Sequence, residues 1–262
     1  MELLKYFYRF LIDLTNSLDI SNLIRFYTTS KISRHLISSY AKTFKINERE
    51  MEHNIQSYSS LHEFFIRTLK KDVRPIDADP ASVISPVDGF VEDIGEILET
   101  RNILVKGQIF SIKEMLGNNR AYNKYDGGIY MIIYLSPRDY HRIHSPISGK
   151  VIAQWELGGR SYPVNKFGLK YGRKPLEKNY RKISELEVNG KHIVIAKVGA
   201  MFINSITLTH KLDTLAKGEE IGYFSFGSTV VLLFEKDSFI PVEDLKNQFV
   251  IMGQKIGVFV QK

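Results

Sequence analysis

A serine that directly follows a glycine sits inside a strand-like run near the C-terminal end of the chain, Gly222-Tyr-Phe-Ser-Phe-Gly-Ser-Thr-Val230. Ser228 follows Gly227, and the apolar stretch 230–234 follows both. Glycine within a strand marks a bend or a close approach by another segment. It also leaves a carbonyl unshielded by a side chain, so the adjoining hydroxyl can be pressed onto that carbon. Self-cleavage there would turn Ser228 into something other than serine. A bulged strand is the commoner result of so short a motif taken alone.

Two further clusters supply what such a hydroxyl needs. Ser85-Pro-Val-Asp-Gly89 puts Asp88 at a turn, and Ser136-Pro-Arg-Asp-Tyr-His-Arg-Ile-His-Ser-Pro146 holds His141 and His144 between two prolines. Carboxylate, imidazole and hydroxyl are the parts of an activated nucleophile. Each cluster also has a plain structural reading. Asp-Gly is a common turn, and Arg138, Asp139 and Arg142 suit a solvated loop. The two histidines could be surface residues, or two ligands of a metal with a third ligand elsewhere.

The elements that must carry these residues fall into two textures. Up to about residue 75 the chain reads as helical: Leu3, Leu4, Phe7, Leu11, Leu14 and Leu18 recur at helical spacing, and Ile32, Leu36, Tyr40 and Phe44 form a second run. Capping boxes stand at Asn47-x-x-Glu50 and Ser60-x-x-Glu63. Residues 1–45 hold seven Lys/Arg against Glu2, Asp13 and Asp19, so this segment suits either packing on the core or rest on an anionic bilayer. From Val83 onward short strands and turns take over, at 83–94, 129–135, 151–152, 192–198, 230–234 and 255–260. Residues 112–116 and 242–248 are helix candidates, and 155–190 reads as a long excursion. The expected class is α+β, a helical N-terminal segment (1–75) before a β-rich, sandwich- or barrel-like catalytic body (76–262).

Composition narrows the chemistry. With no cysteine among 262 residues, disulfides, thiolate zinc sites and thiol catalysis are out. A formal charge of +7 calls for an acidic partner, and no nucleic-acid signature or basic block is present, so an anionic lipid surface is expected and nucleic acid is not. No apolar run is long enough for a transmembrane helix, and Arg9 and Asp13 break the pattern of a signal peptide.

Taken in order, the clusters resemble the phosphatidylserine decarboxylase proenzyme family, of the short bacterial, pyruvoyl-dependent type. Ser85-Pro-Val-Asp-Gly89, Leu135-Ser-Pro-Arg-Asp-Tyr-His-Arg-Ile-His144, Val198-Gly-Ala-Met-Phe-Ile-Asn-Ser-Ile206 and the Lys217 to Thr229 string ending in Phe-Gly-Ser-Thr carry the likeness, which also takes in Lys31-Ile-Ser-Arg34. Phe226 stands where many relatives carry Leu, and Lys178-Asn-Tyr-Arg181 where an Asn-Glu-Arg string is expected. The resemblance implies a precursor cut between Gly227 and Ser228 into chains 1–227 and 228–262. It implies His144 as base, Asp88 as its orienting group and Ser228 as nucleophile, and His141 as the source of the proton for the carbanion or as a substrate contact. Ser228 would become a pyruvoyl group that forms a Schiff base with the substrate amine, with no metal or external cofactor. The implied partners are phosphatidylserine, an anionic membrane surface and a heterodimer of the chain's own two pieces, with room for a higher homo-oligomer. The implied location is peripheral, on the cytoplasmic face of the cell membrane. Competing readings from the residues alone are a serine hydrolase using Ser228, His144 and Asp88 on an external ester, a non-enzymatic membrane-binding β-rich module, and a two-histidine metal site.

Overall fold

The apolar runs pair into one eight-stranded sheet in which every neighbour is antiparallel. The computed structural model describes residues 18–117, 120–200, 206–210, 213–225 and 228–260, with main chain only at 18–22, 120 and 121. The sheet holds β1 (Gly89–Glu96), β2 (Ile129–Leu135), β3 (Gly149–Leu157), β4 (Arg181–Val188), β5 (Lys191–Gly199), β6 (Thr214–Leu215), β7 (Ser228–Phe234) and β8 (Phe249–Val250), in spatial order β6-β3-β4-β5-β7-β2-β1-β8. Among the described residues no sheet closes on itself, so the β-rich body is layered rather than a closed barrel.

Strand β7 is buried at every residue, as a continuous Val/Leu run without period-two polarity requires. Its alternate side chains feed two cores. Val230, Leu232 and Phe234 pack with Ile133, Ile195 and the residues of two flanking three-stranded sheets, such as Phe224 and Phe239. One flanking sheet joins Ser82–Ile84, Lys255–Phe259 and Phe239–Pro241; the other joins Ile206–Leu208, Glu220–Phe224 and Arg142–His144. Val231 and Leu233 face the opposite core, closed by the hairpin Asn102–Val105 and Gln108–Ser111 and by the helix Ile112–Leu116.

The helical N-terminal part builds a third cluster from Ile37, Ala41, Ile46, Met51, Tyr58, Leu61 and Phe64. Its helices are α1 (Leu18–Thr29), α2 (Ile37–Phe44) and α3 (Leu61–Phe65), with a 3-10 turn at Lys31–Leu36. That tighter turn rotates the face expected from sequence. Ser33, Ile37 and Ala41 are the buried residues, while Ile32 and Leu36 point outward. The expected helical run from Leu3 to Leu14 lies outside the described residues. Ser60 caps α3 through the Glu63 amide, and the Glu63 carboxylate reaches back to Ser59 instead of Ser60.

Two other expectations are corrected. Residues 242–248 form successive turns, because Asp244 and Asn247 adopt left-handed conformations (φ 56° and 64°) that no helix interior accommodates. The excursion 155–190 contains the end of β3, helices Lys166–Tyr171 and Pro175–Lys178, and all of β4. Charged residues of both signs (Arg181, Lys182, Glu185 and Glu187) interrupt the apolar pattern of β4, although most of its residues are buried. Gly89, beside Asp88, has a strict steric reason: a Cβ would lie 2.7 Å from the Tyr134 carbonyl oxygen and 2.8 Å from Ile133 Cγ2.

Because Leu232 is fully enclosed between β2 and β5, Leu232→Ala should cost about 2–5 kcal/mol of stability. Urea unfolding at fixed pH reads this directly, and a loss under 1 kcal/mol would show that the site repacks.

Candidate active site

Ser228 opens β7, opposite Leu135 of β2 on one edge and Gly199 of β5 on the other. The parity of the strand puts its side chain on the face of Val230 and Leu232. It has no exposed surface, and its Oγ meets no hydrogen-bond partner among the described residues. Gly227 and Phe226 lie outside the described residues, so the expected cleavage bond does too. The segment just before them is tied down: the Phe224 amide donates to the His141 carbonyl (3.0 Å), and Ser225 Oγ is 3.2 Å from His62 Nε2. The loop 136–141 leaving β2 and the segment at Phe224 and Ser225 therefore meet at one end of the sheet.

The first loop is fixed by Asp139. Its Oδ2 accepts from the Ser136 amide (2.6 Å) and hydroxyl (2.7 Å), and burial raises its carboxyl above the usual range. The Asp139 carbonyl accepts at 2.9 Å from His141 Nδ1, which fixes the tautomer: the proton is on Nδ1 and Nε2 carries the lone pair. That Nε2 is buried without a partner, and the ring lies 3.9 Å from the Phe65 ring centroid. Burial, and secondarily the nearby Arg67 cation, push the imidazole from the ordinary 6.5 down to about 3. At neutral pH His141 thus offers a lone pair. It has no spare proton to give until it first receives one.

His144 is arranged in parallel. Its Nδ1 donates to the Gly218 carbonyl (2.8 Å), leaving Nε2 to accept from the Tyr140 hydroxyl (3.2 Å), and burial lowers its basicity as well. The Pro86 carbonyl accepts from the His144 amide at 2.9 Å, which brings the Asp88 turn alongside. The expected hydrogen bond between Asp88 and His144 is not formed. Asp88 instead accepts the fork of Arg74 (Nε at 2.9 and 3.1 Å, Nη2 at 2.6 Å) and the Met252 amide at 2.8 Å. The tautomer of His144 is set by a backbone carbonyl in place of the carboxylate. The structure thus brings His144 next to the Asp88 turn and His141 next to the segment before Ser228, with no direct hydrogen bond among the four.

Arg67 and Arg74 went unnamed in the sequence reading, and Asn179 and Arg181 entered it only within the Lys178–Arg181 string. Arg67 is 4 % exposed; its Nη2 donates to the Arg138 (2.8 Å) and Asp139 (3.0 Å) carbonyls, while Nε and Nη1 have no partner. Each unmet donor of this kind costs about 1–3 kcal/mol. Asn179 donates to the Gly199 and Tyr162 carbonyls, supporting the strand end opposite Ser228, and Arg181 is buried on the Met115, Asn179 and Glu114 carbonyls. Arg67 and Arg74 do have a sequence signal, an arginine following Phe64-Phe65-Ile and an Arg-Pro step just before the catalytic body, which spacing alone does not connect to the site. Among the described residues no three His, Asp or Glu side chains cluster to hold a metal.

The chain was compared with known proteins. The profile of the family described as "Phosphatidylserine decarboxylase" matches residues 61–258. A protein of Anoxybacillus flavithermus (strain DSM 21510 / WK1) named "Phosphatidylserine decarboxylase proenzyme" is 56% identical over 261 residues, 99% of this chain and 98% of that one. One of the same name from Geobacillus sp. (strain WCH70) is 57% identical, covering 97% of each chain, and one from Bacillus cereus (strain ATCC 10987 / NRS 248) is 52% identical, covering 95% of this chain and 96% of its own.

The neutral buried histidines make stability depend on acid. Between about 6.5 and about 3 an unfolded chain binds a proton at His141 that the folded chain excludes, so stability falls as pH falls through that window. In His141→Asn the slope should be shallower, by up to about 1.4 kcal/mol per pH unit. Urea midpoints from pH 7 to 4 measure it, and equal slopes would mean that His141 is reached by water.

Proposed function

The chain belongs to the phosphatidylserine decarboxylase family, and from that premise we propose that it cuts itself between Gly227 and Ser228 and then converts phosphatidylserine to phosphatidylethanolamine and CO2. The observation that carries the cleavage step is Ser228 itself, a hydroxyl fully enclosed at the head of a doubly paired strand with no hydrogen bond to give up. In the uncut chain this enclosure suits attack on the preceding carbonyl of the same chain and disfavours the hydrolase reading, since an external ester has no route to Oγ. Water and phosphatidylserine are admitted once the break at Gly227/Ser228 frees the head of β7.

In that step Ser228 Oγ adds to the Gly227 carbonyl carbon and its proton passes to a base. His144 is the candidate, because its Nδ1 is committed to the Gly218 carbonyl and its Nε2 holds a lone pair. To act it exchanges the Tyr140 hydroxyl for that of Ser228. Asp88, expected as the orienting group, contributes its charge to His144 while paired to Arg74. The peptide C–N bond breaks as the acyl group moves to oxygen. Loss of the Ser228 Cα proton then expels the Gly227 carboxylate, and water releases ammonia, leaving a pyruvoyl group on the 228–262 chain.

The residues present fit that group: it is small and uncharged, it derives from Ser228 in place, and its strand face is apolar, with Val230 and Leu232 in the adjoining core. When formed, it supplies a carbonyl able to absorb the electron pair released as CO2 departs. His141 Nε2, a bare acceptor, is suited to receive a hydrogen bond from the serine amine once that amine reaches the site in its free form. To protonate Cα it must first gain a proton, which burial makes costly, and this refines the expectation of His141 as a ready donor. The seven-residue pairing of β7 with both neighbours keeps the short chain in place after the cut.

We also take residues 1–75 as the membrane-contacting segment before the catalytic body, seated peripherally on the cytoplasmic leaflet. Phe26 (75 % exposed), Ile32 (68 %), Leu23 and Leu36 are outward apolar residues in this part, interleaved with Arg25, Lys31 and Arg34. No helix among the described residues is long and apolar enough to cross a membrane.

Intact mass under denaturing conditions tests the cleavage. Two species meeting at Gly227/Ser228, the shorter one lacking one ammonia, are expected from the wild type, and one uncut 30.2 kDa chain from Ser228→Ala. A wild-type chain that stays whole while releasing CO2 would overturn the pyruvoyl assignment. For the membrane face, Phe26→Asp with Ile32→Asp should lower sedimentation with anionic vesicles at least about tenfold, leaving the cleavage pattern unchanged. Undiminished binding would move the docking face elsewhere.

A further inference from the structure

We propose that Arg67 is the anchor for the phosphodiester of the lipid headgroup, an assignment that rests on the phosphatidylserine reading above. Arg67 is almost wholly buried, yet among the described residues it has no carboxylate within ion-pair distance, and its Nε and Nη1 are unpartnered. A guanidinium removed from water and left without an anion is the exception in proteins. It lines a hollow of about 350 Å³ shared with Lys45, Arg74, Asp88, Arg138 and Tyr140.

The charges around that hollow are unequally satisfied. Arg74 takes both Asp88 and Glu50, and Asp139 is occupied by Ser136 and by Arg138 at 3.4 Å. The uncommitted positive charge is that of Arg67, with Lys45 beside it. Arg67 Nη2 and His141 Nδ1 donate to the same Asp139 carbonyl, so an anion on Arg67 stands next to the proton-handling ring. In a serine phospholipid the phosphate lies only a few bonds from the amine, which matches this adjacency. Nε and Nη1 are enclosed at rest, so neighbouring side chains must turn aside to admit the ligand; Arg138, 59 % exposed, is one of those free to do so.

The choice of phosphodiester over carboxylate follows from the reaction. A cation fixed on the carboxylate would hold the ground state more tightly than a transition state in which that charge is leaving, and so would slow the reaction. The phosphodiester keeps its charge throughout. A planar fork of N–H donors binds it equally in ground and transition states.

Steady-state CO2 release from dispersed phosphatidylserine separates these effects. Arg67→Gln should raise KM by about 10- to 100-fold with kcat within about threefold of wild type, and Arg67→Lys should fall between. An unchanged KM, or a loss confined to kcat, overturns the assignment while leaving the decarboxylase reading intact; a wild type that releases no CO2 overturns that reading instead. A second arm needs neither turnover nor an Arg67 variant. Calorimetry on the full-length Ser228→Ala chain should show glycerophosphoethanolamine binding at least about tenfold more tightly than its neutral ether analogue. Equal binding, or inorganic phosphate binding as tightly as the phosphodiester, would overturn the headgroup assignment.

Discussion

Strand β7 is hydrogen-bonded along both edges and covered on both faces, and the active end of the molecule is arranged around its first residue. The Ser228 hydroxyl is fully buried in the uncut chain, and so is the His141 ring. Burial of the Val and Leu side chains of this strand, each worth about 1.5–3 kcal/mol, secures it without any help from the peptide bond that precedes it. The strand can therefore lose that bond and stay in register. This is the physical condition that the proposed cut between Gly227 and Ser228 requires.

The same enclosure sets the protonation states. His141 and His144 are both neutral because a charged imidazole would be poorly solvated, and both have their tautomer fixed by a backbone carbonyl, of Asp139 and Gly218 respectively. Each presents Nε2 as an acceptor. One accepts the Tyr140 hydroxyl and the other has no partner, so the two rings differ in what each has free to offer.

The helical segment meets the sheet through polar contacts at this end. Tyr40 donates to the Pro137 carbonyl, Arg67 to those of Arg138 and Asp139, and Arg142 Nε to that of Ile66, while Arg74 holds Asp88. Phe65 closes over His141. Anything that shifts the helices on a lipid surface is thus felt first by the loop that orients His141.

How much of this was legible in the chain depends on range. Sequence by itself determined the strand character of 230–234 and 129–135, the turn at Asp88-Gly89, the Ser60 cap and the order of the motifs, because these rest on neighbours a few residues apart and on side-chain period. It named Asp88, His141, His144 and Ser228 through that order. Tertiary structure alone decided that Asp88 pairs with Arg74, that a carbonyl holds His144, that Arg67 is buried without an anion, and that Ile32 faces outward from a 3-10 turn. Those outcomes depend on which distant segments are packed into contact and on which polar atoms they leave unpaired. Hydrogen-bond partners compete across the whole molecule, whereas sequence periodicity reports only the local backbone.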